Sequence, residues 1–431
     1  MKITNKSTAG IAVIVLIIVC LRFFSIVELP FPSAILSELS WILAFLIYIY
    51  TFKGRCRIQS KYPFIGKYFA YIVIVEFILC IYSMIKYNET VYDMLLCVGA
   101  FFLLSITYAI LISFEKDGMQ FLMDAVFWLM FVNTCLTIVH ALVYNFIGIR
   151  LFGFIEIASK NTNIRISLGA LMGVYFVYVF YNILQKRKQV LMTIALLIGL
   201  FAMFYVEMTR AKEVAVVGTL LIMWAFKRQD SKKDIVKYLI IIVAVIVFLY
   251  SGLFDAILNT FSINPSVNEQ YQSTAARYNA MEYFSTFTNN NPLFGMGWVR
   301  PHTDELMKIF SGPTGTSFFD DLGFLGQYYR QGLLGASFYL ALIIRMIYIT
   351  FKIKKNRNEK VFCAGLASYV LLTTISLNCF DGLRMLAVPF YIACTEYIYY
   401  RDRTHYVIVR KENNDAVEKG IENEDRNTNI S

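Results

Sequence analysis

The sequence predicts an all-α, polytopic transmembrane helical bundle, and three observations predict it. Apolar residues make up 58% of the 431-residue chain and charged residues only 16%, far from the balance of a soluble domain. The apolar residues fall into continuous blocks, long enough to cross a hydrocarbon core of about 30 Å, which takes about 20 helical residues. A β-barrel would need short alternating segments instead. Basic residues gather in short loops between the blocks, as the positive-inside rule has it for cytoplasmic loops.

Taken in order, the blocks give about twelve spans, beginning near Gly10, Ala34, Tyr68, Val91, Phe121, Ile166, Val190, Val214, Val236, Gly332, Val361 and Met385. Lys2 and Lys6 precede the first block and no small-residue cleavage site follows it, which predicts an uncleaved first span. Four basic clusters follow the second, sixth, eighth and tenth spans: Lys53 to Lys67, Lys186 to Lys188, Lys227 to Lys237, and Lys352 to Lys360. All four follow even-numbered spans, so they share a side. With the N-terminus inside, that side is cytoplasmic, and so is the C-terminus. Residues 1–400 then form one integral membrane domain. Residues 401–431 form a polar, acidic tail of the composition that stays disordered. The large polar insert, about residues 258–331 between spans nine and ten, faces outward and contains short helices. The loop from Gly148 to Arg165 and the turns at Arg210 and Asp381 share its side.

The net charge of +10 does not point to nucleic acid, because it is spread over short loops and no basic, aromatic-interleaved soluble domain exists to hold a polynucleotide. Most of the eight cysteines lie in or near apolar spans, no CxxC is present, and the chain has three histidines. These observations speak against a metal centre and predict no cofactor. No Gly-rich nucleotide loop, Ser-His-Asp order or HExxH occurs, which excludes ATP-driven transport.

The ionisable residues of the outward side are the candidates for chemistry, since charge near a bilayer is costly and rarely idle. Arg210 opens the eighth span in MTRAKEVAVVG, with Lys212 and Glu213 beside it. It reads either as a snorkelling interfacial charge or as a planar donor fork for phosphate oxygens. Arg277 lies in TAARYNAMEYF, an amphipathic helix by its spacing, with Tyr278, Met281, Phe284 and Phe287 on the apolar side. A tight turn over Asn291 to Gly297 follows. Asp320 and Asp321 open a second loop helix, as N-cap and first-turn acids or as carboxylates that take a proton from an attacking hydroxyl. His302 is the alternative base, and Asp381 and Arg384 form a further outward pair. Within the spans the main ionisable residues are Glu76, Asp124 and His140.

Together these residues resemble the O-antigen polymerase and O-antigen ligase family of bacterial membrane glycosyltransferases. The resemblance rests on Thr209-Arg210 at an outward span junction, and on Arg277 followed by Pro292-Leu293-Phe294-Gly295-Met296-Gly297. It rests also on Gly332-Leu333-Leu334-Gly335 at a span start. Where the family, its ligase branch above all, usually shows His-Asn before that last motif, this chain has Asp320-Asp321.

The resemblance implies a polysaccharide polymerase of the bacterial cytoplasmic membrane. It would join polyprenyl-diphosphate-linked repeat units on the outer face, for capsule, exopolysaccharide or O-antigen. The donor would be a glycan on a polyprenyl diphosphate and the acceptor a single lipid-linked repeat unit. Transfer would invert the anomeric centre and need no metal. Arg210 and Arg277, helped by Lys212 or Arg384, would hold the lipid diphosphate, and Asp321, Asp320 or His302 would serve the acceptor hydroxyl. Membrane lipid surrounds the protein, and a chain-length regulator and a flippase are the further partners. Three rivals remain: an O-antigen ligase-type transferase, a flippase for lipid-linked oligosaccharide, whose ionisable groups belong near mid-bilayer, and a non-enzymatic membrane sensor or scaffold.

Overall fold

The computed structural model describes residues 7–21, 33–151, 158–160, 163–227, 268–312, 319, 322–354, 356–375 and 377–404. The chain is a helical bundle, as expected. Helices occupy Thr8–Cys20 (α1), Ser33–Tyr50 (α2), Phe52–Lys61 (α3), Pro63–Tyr87 (α4), Val91–Val98 (α5), Ile106–Asp117 (α6) and Met119–Ile147 (α7). They continue at Met172–Leu184 (α8), Gln189–Phe201 (α9), Arg210–Phe226 (α10), Asn268–Asn290 (α11), Asp304–Ser311 (α12), Gly323–Lys352 (α13) and Arg357–Thr373 (α14), with α15 over 387–404. A helix thus lies near every expected span start except Val236, which is outside the described residues, as is the tail from 405 onward. Among the described residues, five stretches are long and apolar enough to cross a membrane: Pro63–Tyr87, Val91–Asp117, Met119–Ile147, Gln189–Glu207 and Gly323–Lys352. The only strands among them form one hairpin, Ala158–Lys160 (β1) antiparallel to Asn163–Arg165 (β2).

Local chemistry sets the helix ends. Pro63 stands in the first turn of α4, where its missing N–H costs nothing, and Asn88 ends the helix in the left-handed region at φ 53°. Thr90 and Asp93 then form a reciprocal capping box for α5. Gln189–Glu207 finishes in a π turn over Ala202–Glu207, so the next helix restarts at Arg210 with Glu207 close to it. On α4, Val73, Phe77 and Ile85 are each at least 65% exposed, an outward apolar face of the kind that lipid covers.

The bundle has two distinct ends. One end gathers the basic loops: Lys61 pairs with Glu115 at 2.5 Å, Asp117 accepts from the Ser7 amide, Lys188 lies 3.9 Å from Asp124, and Arg401 pairs with Glu359. Asp402 also accepts from the Lys354 and Asn356 amides. Three of the four loops that the charge pattern assigned to one side therefore meet at one end. The opposite end gathers the described parts of other loops. Ile166 donates to the Val206 carbonyl, Arg165 bonds to Glu207 and Thr209, and the 292–300 segment packs on the last turns of α4. Helices α10 and α14 run antiparallel, with Gly218 against Leu372 and Gly365 against Met223. Arg210 and Lys212 therefore start α10 at the end where α14 gives way to the turn bearing Asp381.

Candidate active site

Gly332, expected to start a span, is a break between two helical runs of α13, at φ 61° and ψ −156°. A break in a helix strands donors and acceptors on both sides. The Pro292–Gly297 turn satisfies them. Met296 N–H donates to the Tyr329 carbonyl at 2.9 Å and Gly297 N–H to the Arg330 carbonyl at 2.8 Å. Beyond the break, Leu333 N–H donates to Pro292 O at 2.9 Å and Leu334 N–H to Leu293 O at 3.3 Å. A Cβ on Gly332 would lie 2.3 Å from Leu293 O, and one on Gly295 2.6 Å from Tyr329 O. The two glycine motifs are thus halves of one backbone clasp.

The clasp presents Arg330, a residue not singled out from the sequence. Its guanidinium lies 4.0 Å over the Trp298 ring and 3.7 Å from Asp381 Oδ1. Arg384 approaches the other oxygen, Oδ2, at 3.8 Å, so the expected Asp381–Arg384 pair forms and gains a second cation. Beside them is a cavity of about 250 Å³ whose wall includes Trp298, Arg300, Phe310, Arg330, Phe380 and Asp381. Two guanidiniums, one carboxylate and several rings suit an anionic, partly apolar ligand. The available signal for Arg330 was its place two residues before Gly332 in the YYRQGLLG tract.

The other expected residues are placed as follows. Arg210 is exposed at the first turn of α10. Lys212 ion-pairs with buried Glu207, so an arriving phosphate meets a lysine already neutralised. Arg277 is half-buried on α11, one turn before buried Ala280 and two before Phe284, which stacks on Phe319 at 3.7 Å. Arg330 lies 5.9 Å from that same Phe319 ring. Among the described residues Arg277 Nε is buried without a hydrogen-bond partner. The apolar stripe of α11 differs from expectation at Tyr278, which is 45% exposed; Ala280 and Thr288 take part instead. His302 is exposed and its Nδ1 lies 3.0 Å from the Arg300 carbonyl. Asp320 and Asp321 lie outside the described residues.

Arg300 and its neighbours make a second polar cluster. Arg300 pairs with Asp93 Oδ1 at 2.5 Å and its amide donates to Glu89 Oε1 at 2.7 Å. Burial raises the Glu89 carboxyl above the ordinary glutamate range, against the lowering pull of the Arg300 amide and of the His302 and Arg300 charges. Glu89, Asp93 and His302 bring one potential ligand atom each within 4.8 Å of one another. Asp93, however, already serves Arg300 and both the amide and hydroxyl of Thr90, so the trio is an ion-pair cluster first. Trp298 is buried at 3% exposure with Arg330 over one face.

No curated protein matches the chain. Residues 194–340 match the family model described as O-antigen ligase. That segment carries Arg210, Lys212, Arg277, the Pro292–Gly297 turn, Arg330 and the break at Gly332, while Asp381 and Arg384 come from beyond it. That segment of the chain is thus similar to the O-antigen ligase family.

Proposed function

We propose that the protein is a polysaccharide polymerase joining polyprenyl-diphosphate-linked repeat units at the outer face of the bacterial cytoplasmic membrane. The observation that carries this reading is the meeting of Arg330 and Arg384 on Asp381 beside the cavity, at the bundle end where α10 begins with Arg210. An acceptor sugar hydroxyl attacks the anomeric carbon of the donor glycan. A C–O bond forms there as the bond to the lipid diphosphate breaks, with inversion, and the hydroxyl proton passes to a base. The leaving group departs as an anion, so charge stabilisation is needed where that anion develops. Arg210, Arg277, Arg330 and Arg384 supply it from the protein itself, in a metal-independent transfer. Lys212 contributes less, since Glu207 occupies it. Asp321, Asp320 or His302 receives the proton.

The basic end then faces the cytoplasm with both termini, and the Asn268–Asn290 helix and its turn lie outside. Variants Arg210→Ala and Arg277→Ala should each abolish polymer while the protein remains inserted and abundant. Normal chain-length ladders in either would remove that arginine from the clamp. Arg277→Lys should fail as well, because a planar fork is needed, whereas an interfacial charge would tolerate lysine.

The family model's own description as a ligase favours a second reading, transfer of finished glycan to another acceptor. Products separate the two: loss of a polymerase accumulates single lipid-linked repeat units, and loss of a ligase accumulates long lipid-linked chains.

A further inference from the structure

The proposed reaction does not use Glu76, which is buried midway along α4. Its two oxygens begin two arms. Oε2 accepts from the Trp298 indole Nε1 at 2.7 Å, and Trp298 bears the Arg330 guanidinium on its ring. Oε1 accepts from Gln331 Nε2 at 3.0 Å. Gln331 Oε1 in turn accepts from Gln327 Nε2 at 2.5 Å, and Gln327 Oε1 from Asn378 Nδ2 at 2.7 Å. Asn378 Oδ1 accepts from the Phe380 backbone N–H at 2.9 Å, next to Asp381. The arms rejoin where Arg330 meets Asp381 at 3.7 Å.

The result is a closed ring of interactions through α4, the 292–300 segment, α13 and the 377–381 turn. Trp298, Gln327, Gln331 and Asn378 are all buried, so water does not stand in for a lost partner, and an unmatched group costs its full desolvation. Both arms end by donating to residue 76. Only a carboxylate offers an acceptor at each of two oxygens.

We infer that Glu76 is a positioning residue for the Arg330–Asp381–Arg384 cluster: it fixes the direction of the amide arm and the seat of Trp298, and so the distance between Arg330 and Asp381. The inference rests on the reading that this cluster holds a departing lipid diphosphate. A mid-span acid of a transporter would have to release its partners to carry cargo, whereas Glu76 is fully engaged at both oxygens.

Glu76→Gln keeps the shape but presents an NH₂ where an acceptor is needed. The mismatch is relieved by flipping Gln331, Gln327 and Asn378 in turn, which leaves the Phe380 N–H facing another donor. The test uses the full chain in lipid nanodiscs, with ¹⁵N-tryptophan spectra, hydrogen exchange and binding of undecaprenyl diphosphate. The chain has four tryptophans, so Trp298→Phe assigns the indole signal. Glu76→Gln is expected to move that signal, to speed exchange at the Phe380 amide, and to weaken binding on the order of tenfold. Combined with Arg330→Ala, the two losses should fall well short of multiplying, because both act on one cluster. A folded Glu76→Gln with indole and Phe380 unchanged overturns the inference, as do losses that multiply fully. If the unaltered protein binds no undecaprenyl diphosphate, the diphosphate reading fails, while the indole and amide signals still decide whether Glu76 positions Trp298 and the turn.

Discussion

Three influences act on the Arg330 guanidinium at once: the Trp298 ring beneath it, the Asp381 carboxylate beside it, and the backbone bond from Gly297 that fixes its own carbonyl. A desolvated guanidinium on an indole face is worth about 2 kcal/mol, and lysine reproduces the charge but not the plane. Arg330→Lys should therefore lose most polymer, by roughly tenfold or more, with the protein still abundant; chain-length ladders from membranes would show it. Glu89 allows a pH prediction. Its carboxyl titrates above the ordinary range because it is buried, so the folded protein holds that proton more tightly than the unfolded chain. The associated stability is complete below the ordinary glutamate value and is lost as pH rises through the raised one. Glu89→Gln, which can still accept from the Arg300 amide, should outlast the unaltered protein on heating at pH 8 and lose that advantage at pH 4. Thermal midpoints at the two values would measure it. The helix that bears Arg277 was legible in the sequence because it and the following turn have recognisable spacing. Arg330 was not, since its partners Trp298 and Asp381 lie far from it in the chain and only folding brings them together.

Among the elements, the clasp between the Pro292–Gly297 turn and the break in α13 is the most constrained. Gly332→Ala would place a methyl 2.3 Å from a backbone oxygen at a positive φ, which neither a rotamer change nor a small shift relieves. We expect severe loss of folded protein in membranes. Gly148 also has a positive φ, 76°, but an added Cβ there meets nothing within 4 Å. Gly148→Ala should cost only the left-handed penalty of about 1–2 kcal/mol and remain abundant. Comparing the two variants by in-gel abundance separates the close approach from the backbone preference. The sequence predicted a turn at Gly295 and Gly297 and a span start at Gly332. It could not show that Gly332 interrupts a helix, because QYYRQGLLGASF has unbroken helical composition on either side of it.

Over the whole molecule, the apolar blocks and basic loops were legible because each is a local property of the chain. The structure gathers three of the four basic loops at one end through pairs such as Lys61–Glu115 and Arg401–Glu359. Depth and contact were harder to read. Asp124 looked like a mid-span acid, yet it accepts from Tyr178 at 2.6 Å and lies near Lys188 at the basic end. His140 takes the Leu151 amide at the other end, which leaves Glu76 as the one of the three set deep in the bundle. Hydropathy does not resolve such depth, because one polar residue barely changes the mean of a 25-residue helix.

The Gly297–Arg330 bond has a mechanical meaning. Helix α11 runs through Asn290 directly into the Asn291–Gly297 turn, and that turn is fastened to the Arg330 main chain. Displacing α11 therefore drags on the arginine, so whatever leans on this helix is felt at the charge beneath it.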